Sequence, residues 1–203
     1  MDKATVAAYK EMKRLLNFVI QTKETGLLIK PIVFDSNNVN WDLMVFSDSD
    51  WAGDKECRRS VTGFIIYFMG APIFWKSRLQ KTVALSSTEA EYYAISEVSK
   101  EIKFVIMLLK SIGIEPTLPV IINVDNVGAI FMAENKSATS RTRHVDARYH
   151  FIHELITDNL IKIIFVKTEN NDADIFTKNI NQQIYDKNAN KYLINKQQFE
   201  KNN

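Results

Sequence analysis

Leu43-Met-Val-Phe-Ser-Asp-Ser-Asp50 is an apolar run of strand length that leads straight into acids, and the rest of the chain is organised around it. Some forty residues later, Ser87 to Gly113 carries apolar residues at helical spacing, with Ser87 or Thr88 placed to cap its start. Val120 to Val124 then repeats the first pattern, a continuous apolar run closed by Asp125. A strand, a long helix and a second strand predict a right-handed crossover, which sets Leu43–Phe46 and Val120–Val124 parallel in one sheet. Their carboxyl ends then share one edge, where open α/β sheets bind ligands, and Asp48 and Asp125 converge there.

Between the first strand and the long helix, Val61 to Met69, Ile73 to Lys76 and Thr82 to Leu85 predict further strands with tight connections, one of them Gly70-Ala71-Pro72, as in an antiparallel meander. After Asp125 come a helical piece through Phe131, a polar loop from Glu134 to Thr142, a helix from about Val145 to Asp158, a strand from Leu160 to Val166 and a short helix from Asp172 to Lys178. Upstream, Ala4 to Thr22 has Val6, Tyr9, Met12, Leu16, Val19 and Ile20 at helical spacing, and a short extended piece, Leu27 to Lys30, follows Gly26. The expected organisation is a helical segment over 1–35, an α/β domain over 36–180, and an Asn-, Gln- and Lys-rich tail over 181–203 with too little to bury for fixed structure.

The long helix supplies a third acid. Ile95, Val98, Ile102, Val105 and Leu109 form its apolar seam, and four residues before Ile95 stands Glu91, whereas Glu89 lines up with the mixed row Tyr93, Ser96, Lys100 and Lys103. Glu91 is therefore the carboxylate facing the sheet. A buried-face acid needs a partner, and where several carboxylates gather the usual partner is a divalent metal; taken alone, Glu91 could equally serve the helix dipole. A fourth acid is Asp172 or Asp174, which periodicity does not separate.

Other motifs carry less. Asp48, Asp50 and Gly53 match three positions of a calcium loop, but Ala52 and Arg59 stand where further ligands belong. His144, His150 and His153 lack a cysteine pair and the spacing of zinc ligands, and Asn135-Lys136-Ser137 is a glycosylation sequon that matters only in a secreted chain. With 46% hydrophobic and 25% charged residues the chain can build one ordinary core, and no apolar run approaches the roughly 18 residues of a membrane span. The charged N-terminal stretch has no secretory signature, and one cysteine, Cys57, excludes an internal disulfide, so a soluble intracellular protein is expected. A net charge of +2 says nothing about partners by itself.

Seven blocks in unbroken order resemble one family: Phe46-Ser-Asp-Ser-Asp-Trp-Ala-Gly-Asp54, Arg59-Ser-Val-Thr-Gly-Phe64, Trp75-Lys-Ser-Arg78, Val83-Ala-Leu-Ser-Ser-Thr-Glu-Ala-Glu-Tyr92, Val124-Asp-Asn126, Ser140-Arg-Thr-Arg-His-Val-Asp-Ala-Arg-Tyr-His150 and Ala173-Asp-Ile-Phe-Thr-Lys178. They are similar to the ribonuclease H domain of Ty1/copia-type retrotransposon Pol polyproteins, and the likeness runs from about Val6 to Lys178. It implies an α/β ribonuclease H-like fold with a mixed five-stranded sheet of order 3-2-1-4-5 flanked by helices. The segment through Leu28 resembles the end of the preceding reverse transcriptase, although the Tyr-x-Asp-Asp motif of a polymerase is absent from this sequence. The family's acids fall on Asp48, Glu91 within Ala-Glu-Tyr-x-Ala, Asp125 and Asp174, the last selected over Asp172 by the pattern Asn-x-x-x-Asp from Asn170. Many cellular relatives carry a histidine in the loop before the last acid, where this chain has Lys167, Thr168, Glu169 and Asn170.

The resemblance further implies an endonuclease that hydrolyses the RNA strand of RNA–DNA hybrids with two Mg²⁺ ions, for which Mn²⁺ can substitute, held by the four acids. One ion would activate water and the other stabilise the leaving 3′ oxygen. Ser86, Ser87, Thr88 and Asn126 are candidate hybrid contacts. The basic run Arg141, Arg143, His144 and Arg148, and a second patch of Lys76, Arg78 and Lys81, are candidates for gripping the backbone. The implied partners are the hybrid and the reverse transcriptase portion of Pol, with no membrane. The implied location is the cytoplasm, in the virus-like particle of an intact element, or the nucleus. A catalytically idle domain that only binds nucleic acid or a polymerase is the alternative; an integrase-like strand transferase is disfavoured by Ala-Glu-Tyr-x-Ala.

Overall fold

The computed structural model of the chain describes residues 5–32, 39–135 and 143–195, without the side chains of 143–146. Two compact units separate, one of residues up to Leu28 together with those from Ala189 onward, the other spanning Ile29–Asn188. In the first, α1 (Val6–Thr22) begins where the Thr5 hydroxyl accepts the Ala8 N–H, and none of its residues is buried. The strand after it, β1 (Thr25–Leu27), pairs antiparallel with Leu193–Asn195. No helix among the described residues is long and apolar enough to cross a membrane.

The second unit is an α/β domain. Strand β2 (Leu43–Asp50) pairs antiparallel with β3 (Val61–Phe68), and β3 pairs antiparallel with β4 (Ala71–Leu79). Met69 and Gly70 connect β3 to β4 with positive φ angles of 50° and 79°, as a tight hairpin requires. The chain then forms α2 (Ser87–Ser111) and crosses to β5 (Val120–Val124), which lies parallel to β2 with Phe46 opposite Asn123. After α3 (Val127–Glu134) and α4 (Arg143–Thr157), β6 (Ile161–Phe165) adds a second parallel pairing beside β5. The order is β4-β3-β2-β5-β6, which is 3-2-1-4-5 counted within this sheet, as the resemblance implies.

The predicted seam of α2 is the core: Ile95, Val98, Ile102, Val105 and Leu109 are all buried, against Val45, Phe64 and Ile66 of one sheet face and Val120, Ile122 and Val124 of β5. Each such side chain contributes roughly 1.5–3 kcal/mol on burial. α2 is capped by Ser86, whose hydroxyl accepts the Glu89 N–H, one residue earlier than expected. No strand forms over Thr82–Leu85. There the Ala84 carbonyl accepts the Trp51 indole N–H and the Leu85 N–H binds the Glu89 carboxylate, so side chains take the backbone groups that a neighbouring strand would have used.

Two short 3₁₀ turns follow β6, Thr168–Asn170 and Asp174–Phe176, in place of a regular helix over 172–178. The expectation of an unstructured tail is corrected over 182–195, which forms α5 (Gln182–Tyr192) and β7 (Leu193–Asn195). Its asparagines build local structure: Asn181 accepts the Ile184 N–H at the start of α5, and buried Asn188 donates to the Ile184 carbonyl. Lys187 adds a bond to the Glu169 carbonyl.

Candidate metal centre

β2 continues as regular strand through Asp50, so Asp48 lies inside the strand, opposite Gly63 of β3, and Asp48 and Asp50 cannot belong to a calcium loop. Asp125 follows the last residue of the parallel neighbour β5. Side chains alternate across a sheet, so Asp48 points away from the face that carries Val45 and α2, towards the 3₁₀ turn bearing Asp174. Carboxylate oxygens of Asp48, Asp125 and Asp174 all lie within 4.8 Å of one another, the group of metal-ligating side chains that converges among the described residues. Asp172 goes elsewhere, to accept the buried Tyr67 hydroxyl at 2.9 Å. The geometry thus separates the two aspartates that periodicity left together.

Glu91 approaches from α2 and is only 5% exposed. Its Oε1 accepts the Ser49 N–H at 3.0 Å, while Oε2 is buried with no hydrogen-bond donor. Burial, and then the charges of Asp48 and Asp125, push its carboxyl up to about 9. Asp174 is pushed up to about 6, by burial first and by Asp48 and Asp125 as well, even though Lys178 stands 3.0 Å away. Asp125 is raised too, by burial and by Asp48, against a 2.8 Å bond from the Thr168 hydroxyl. Lys178 is raised because its bond to Asp174 and the surrounding acids outweigh its own burial. Four carboxylates face one ammonium, and the donor set is all oxygen. These residues fit a hard divalent cation, which would supply the missing positive charge and a partner for Glu91 Oε2.

Sequence reasoning missed the residues that hold the acids in place. The Thr177 hydroxyl donates to Asp48 through a short bond, Asn171 donates to the Ser47 carbonyl, and Lys178 pairs with Asp174 at the i, i+4 spacing that could have flagged it. Gly63 is a steric requirement. A Cβ there would lie 2.5 Å from Thr177 Cγ2 and 2.9 Å from Phe176 Cβ, so only glycine lets the turn with Asp174 pack against the strand pair that carries Asp48. Gly63→Ala is expected to destabilise the protein by about 1–3 kcal/mol. It should also weaken divalent-ion binding, because Asp174 and Thr177 must move; thermal melting with and without Mg²⁺ tests this, and an unchanged metal-induced shift would refute it.

The other predicted site residues are distributed less evenly. Ser86 caps α2, Ser87 is exposed, and Thr88 approaches Gly128 and Asn126, since a Cβ on Gly128 would meet Thr88 Oγ1 at 2.9 Å and Asn126 Oδ1 at 3.1 Å. Asn126 caps α3 by accepting the Ala129 N–H. Lys76 is paired with Glu101. Arg78 is exposed, and Arg148 stacks on Tyr93 with its guanidinium 4.2 Å from the ring centre. Arg141 lies outside the described residues, as do the side chains of Arg143 and His144. Of the remaining histidines, His153 stacks on Tyr149 and His150 is exposed; neither joins the acids.

A mixed sheet of order 3-2-1-4-5, with acids gathered at the carboxyl ends of its first and fourth strands, defines an α/β domain of the ribonuclease H-like class. Its homologues are Ty1/copia-type retrotransposon Pol polyproteins. The chain is 35% identical over 182 residues, 90% of its length, to the retrovirus-related Pol polyprotein from transposon RE1 of Arabidopsis thaliana. It is 40% identical over 133 residues, 66% of its length, to the corresponding polyprotein from transposon TNT 1-94 of Nicotiana tabacum. It spans 12% and 10% of these two relatives. No family model matches. Among solved structures, LC11-RNase H1 in complex with an RNA/DNA hybrid aligns over 67% of this chain and 94% of its own, with 11% identity and a TM-score of 0.49.

Proposed function

We propose that this chain is an endoribonuclease that hydrolyses the RNA strand of RNA–DNA hybrids, using divalent metal held by Asp48, Glu91, Asp125 and Asp174. The observation that carries this is Glu91 Oε2, a carboxylate oxygen buried without a donor beside three converging aspartates. Homology to Pol polyproteins supports the hybrid as substrate and reverse transcription as the setting, with residues 1–35 as the end of the preceding polymerase. Asp48, Glu91, Asp125 and Asp174 would hold two Mg²⁺ ions, or Mn²⁺ in their place, which would supply Lewis-acid polarisation of the scissile phosphate and a water of lowered pKa.

The protein's own part is placement. The Ser49 N–H fixes Glu91, the Thr177 hydroxyl orients Asp48, and the Thr168 hydroxyl orients Asp125 from the loop where many cellular relatives carry histidine. Thr88 and Asn126, adjacent at the starts of α2 and α3, are suited to reading the RNA strand through its 2′-hydroxyls, the groups that distinguish it from DNA. The test is incubation of the full chain with a labelled RNA–DNA hybrid and Mg²⁺, beside an Asp125→Asn control. Cleavage of the RNA strand to 5′-phosphate ends by the wild type only is expected. No cleavage by the wild type, or equal cleavage by both, overturns the proposal, and hybrid binding without cleavage would favour an idle, binding-only domain.

A further inference from the structure

The loop that joins β6 to the turn bearing Asp174 has nothing of its own to bury. Lys167, Thr168, Glu169 and Asn170 are all exposed and none is apolar, so hydrogen bonds alone fix its shape. Within it the Asn170 N–H binds the Lys167 carbonyl at 2.8 Å and the Asn171 N–H binds the Thr168 carbonyl at 3.0 Å, closing the first 3₁₀ turn. Hydrogen-bond geometry in such a turn is poor, so these two bonds hold it weakly. Two contacts lead from the loop to the acids. The Thr168 hydroxyl donates to Asp125 Oδ2 at 2.8 Å, and the Asn171 side-chain amide donates at 3.0 Å to the carbonyl of Ser47, the residue before Asp48.

A third contact comes from α5. The Lys187 ammonium donates to the Glu169 carbonyl at 2.7 Å and to Asn170 Oδ1 at 3.3 Å, so one cation bridges two successive residues of the turn. Both acceptors are neutral, and Lys187 forms no ion pair among the described residues. A bond from a charged donor is stronger than the neutral bonds inside the turn. Its neighbour Asn188 is buried, which fixes this part of α5 in place, and Asn181 caps the start of the helix by accepting the Ile184 N–H. Residues through Asn188 belong to the α/β unit, so the clamp lies within one compact body.

We infer that Lys187 is a positioning residue for the acid cluster: it pins the turn over 168–170 so that the Thr168 hydroxyl stays on Asp125. The inference rests on the proposed metal site, of which Asp125 is one ligand. Lys187 bonds to the turn and to none of the four acids, so it acts through Thr168. Its contribution is to the preorganisation of Asp125, which is read in metal affinity while the ligand set stays the same. α5 is thereby part of the site although it carries none of the four acids.

The test is a double-mutant cycle on the full chain, with Lys187→Met, Thr168→Val and both together, read as Mn²⁺ affinity by calorimetry and as amide hydrogen exchange without metal. Methionine keeps the length and helix preference of lysine, and position 187 is exposed, so an unchanged metal-free melting temperature is expected. In Lys187→Met, exchange at the Asn170 and Asn171 amides should speed up roughly three- to tenfold, as the loss of one hydrogen bond to the turn predicts. Mn²⁺ should bind roughly tenfold more weakly to Thr168→Val and roughly threefold more weakly to Lys187→Met, and the double variant should bind no more weakly than Thr168→Val alone. Lys187→Arg restores a charged donor and should bind as the wild type does. Additive losses in the cycle, wild-type affinity in Lys187→Met, or unchanged exchange at Asn170 and Asn171 each overturn the inference. A wild type that binds no Mn²⁺ overturns the proposed metal site as well, whereas wild-type binding that Lys187→Met leaves unaffected overturns the role of Lys187 alone.

Discussion

Without divalent metal, the protein is expected to melt at progressively lower temperature as the pH rises from about 5 to 9. The cause is Glu91, whose carboxyl moves from an ordinary 4.5 to about 9 on folding. Below pH 4.5 both states hold the proton. Between 4.5 and 9 the unfolded chain releases it while the folded chain keeps it, so each pH unit favours unfolding by up to about 1.4 kcal/mol. Above 9 both states are ionised and the loss is complete. Asp174, raised from 3.8 to about 6, acts in the same direction over the lower part of the window. Relaxation of the site will absorb part of this, and a fall in melting temperature on the order of 10 °C is the expected outcome. Mg²⁺ binds only the folded arrangement of acids and should recover the loss, most strongly at high pH where the carboxylates are ionised. Glu91→Gln should flatten the metal-free profile. Calorimetric melts at several pH values check this; a profile that is flat or rises with pH, or a Glu91→Gln variant with the wild-type slope, would overturn the account of the site.

The sheet was legible because its signals are local and repeated. Apolar runs closed by acids mark β2 and β5, a single long period marks α2, and the crossover rule orients one strand against the other, so Asp48, Asp125 and Glu91 could be placed from pattern alone. Asp174 could not, because its turn is too short to have a period. What distinguishes it from Asp172 is that Tyr67, more than a hundred residues upstream, takes Asp172 as its hydrogen-bond acceptor. The bonds of Thr177 to Asp48 and Thr168 to Asp125 are equally non-local. Thr82–Leu85 failed for a related reason: its β-like composition lost to a tryptophan and a glutamate that claimed its backbone groups. The tail failed because composition measures how much can be buried, whereas α5 depends on where its asparagines stand. In sequence the basic residues form two separate groups, and the packing of α4 on α2 brings Arg148 over Tyr93 into a cavity that Lys76 and Arg78 also line.

Asp48→Asn is expected to abolish cleavage while making the metal-free protein more stable. Asp48 is buried and central: its charge raises Glu91, Asp125 and Asp174 alike, and its carboxylate takes the Thr177 hydroxyl. An asparagine at this position can still accept from Thr177 through its carbonyl and offer its NH₂ to Glu91, so the packing has no reason to fail. Removing one like charge lowers the cost of ionising the other three acids, and the melting temperature at pH 8 should rise by a few degrees. The same change removes an anionic metal ligand. If the bound metal contributes several kcal/mol to the transition state, its displacement costs at least about three orders of magnitude in rate. Hybrid cleavage and melting measured on the same preparation check both halves. Activity within tenfold of the wild type would rule out Asp48 as a metal ligand, and a fall in metal-free stability would mean that repulsion among the acids is not what the site stores.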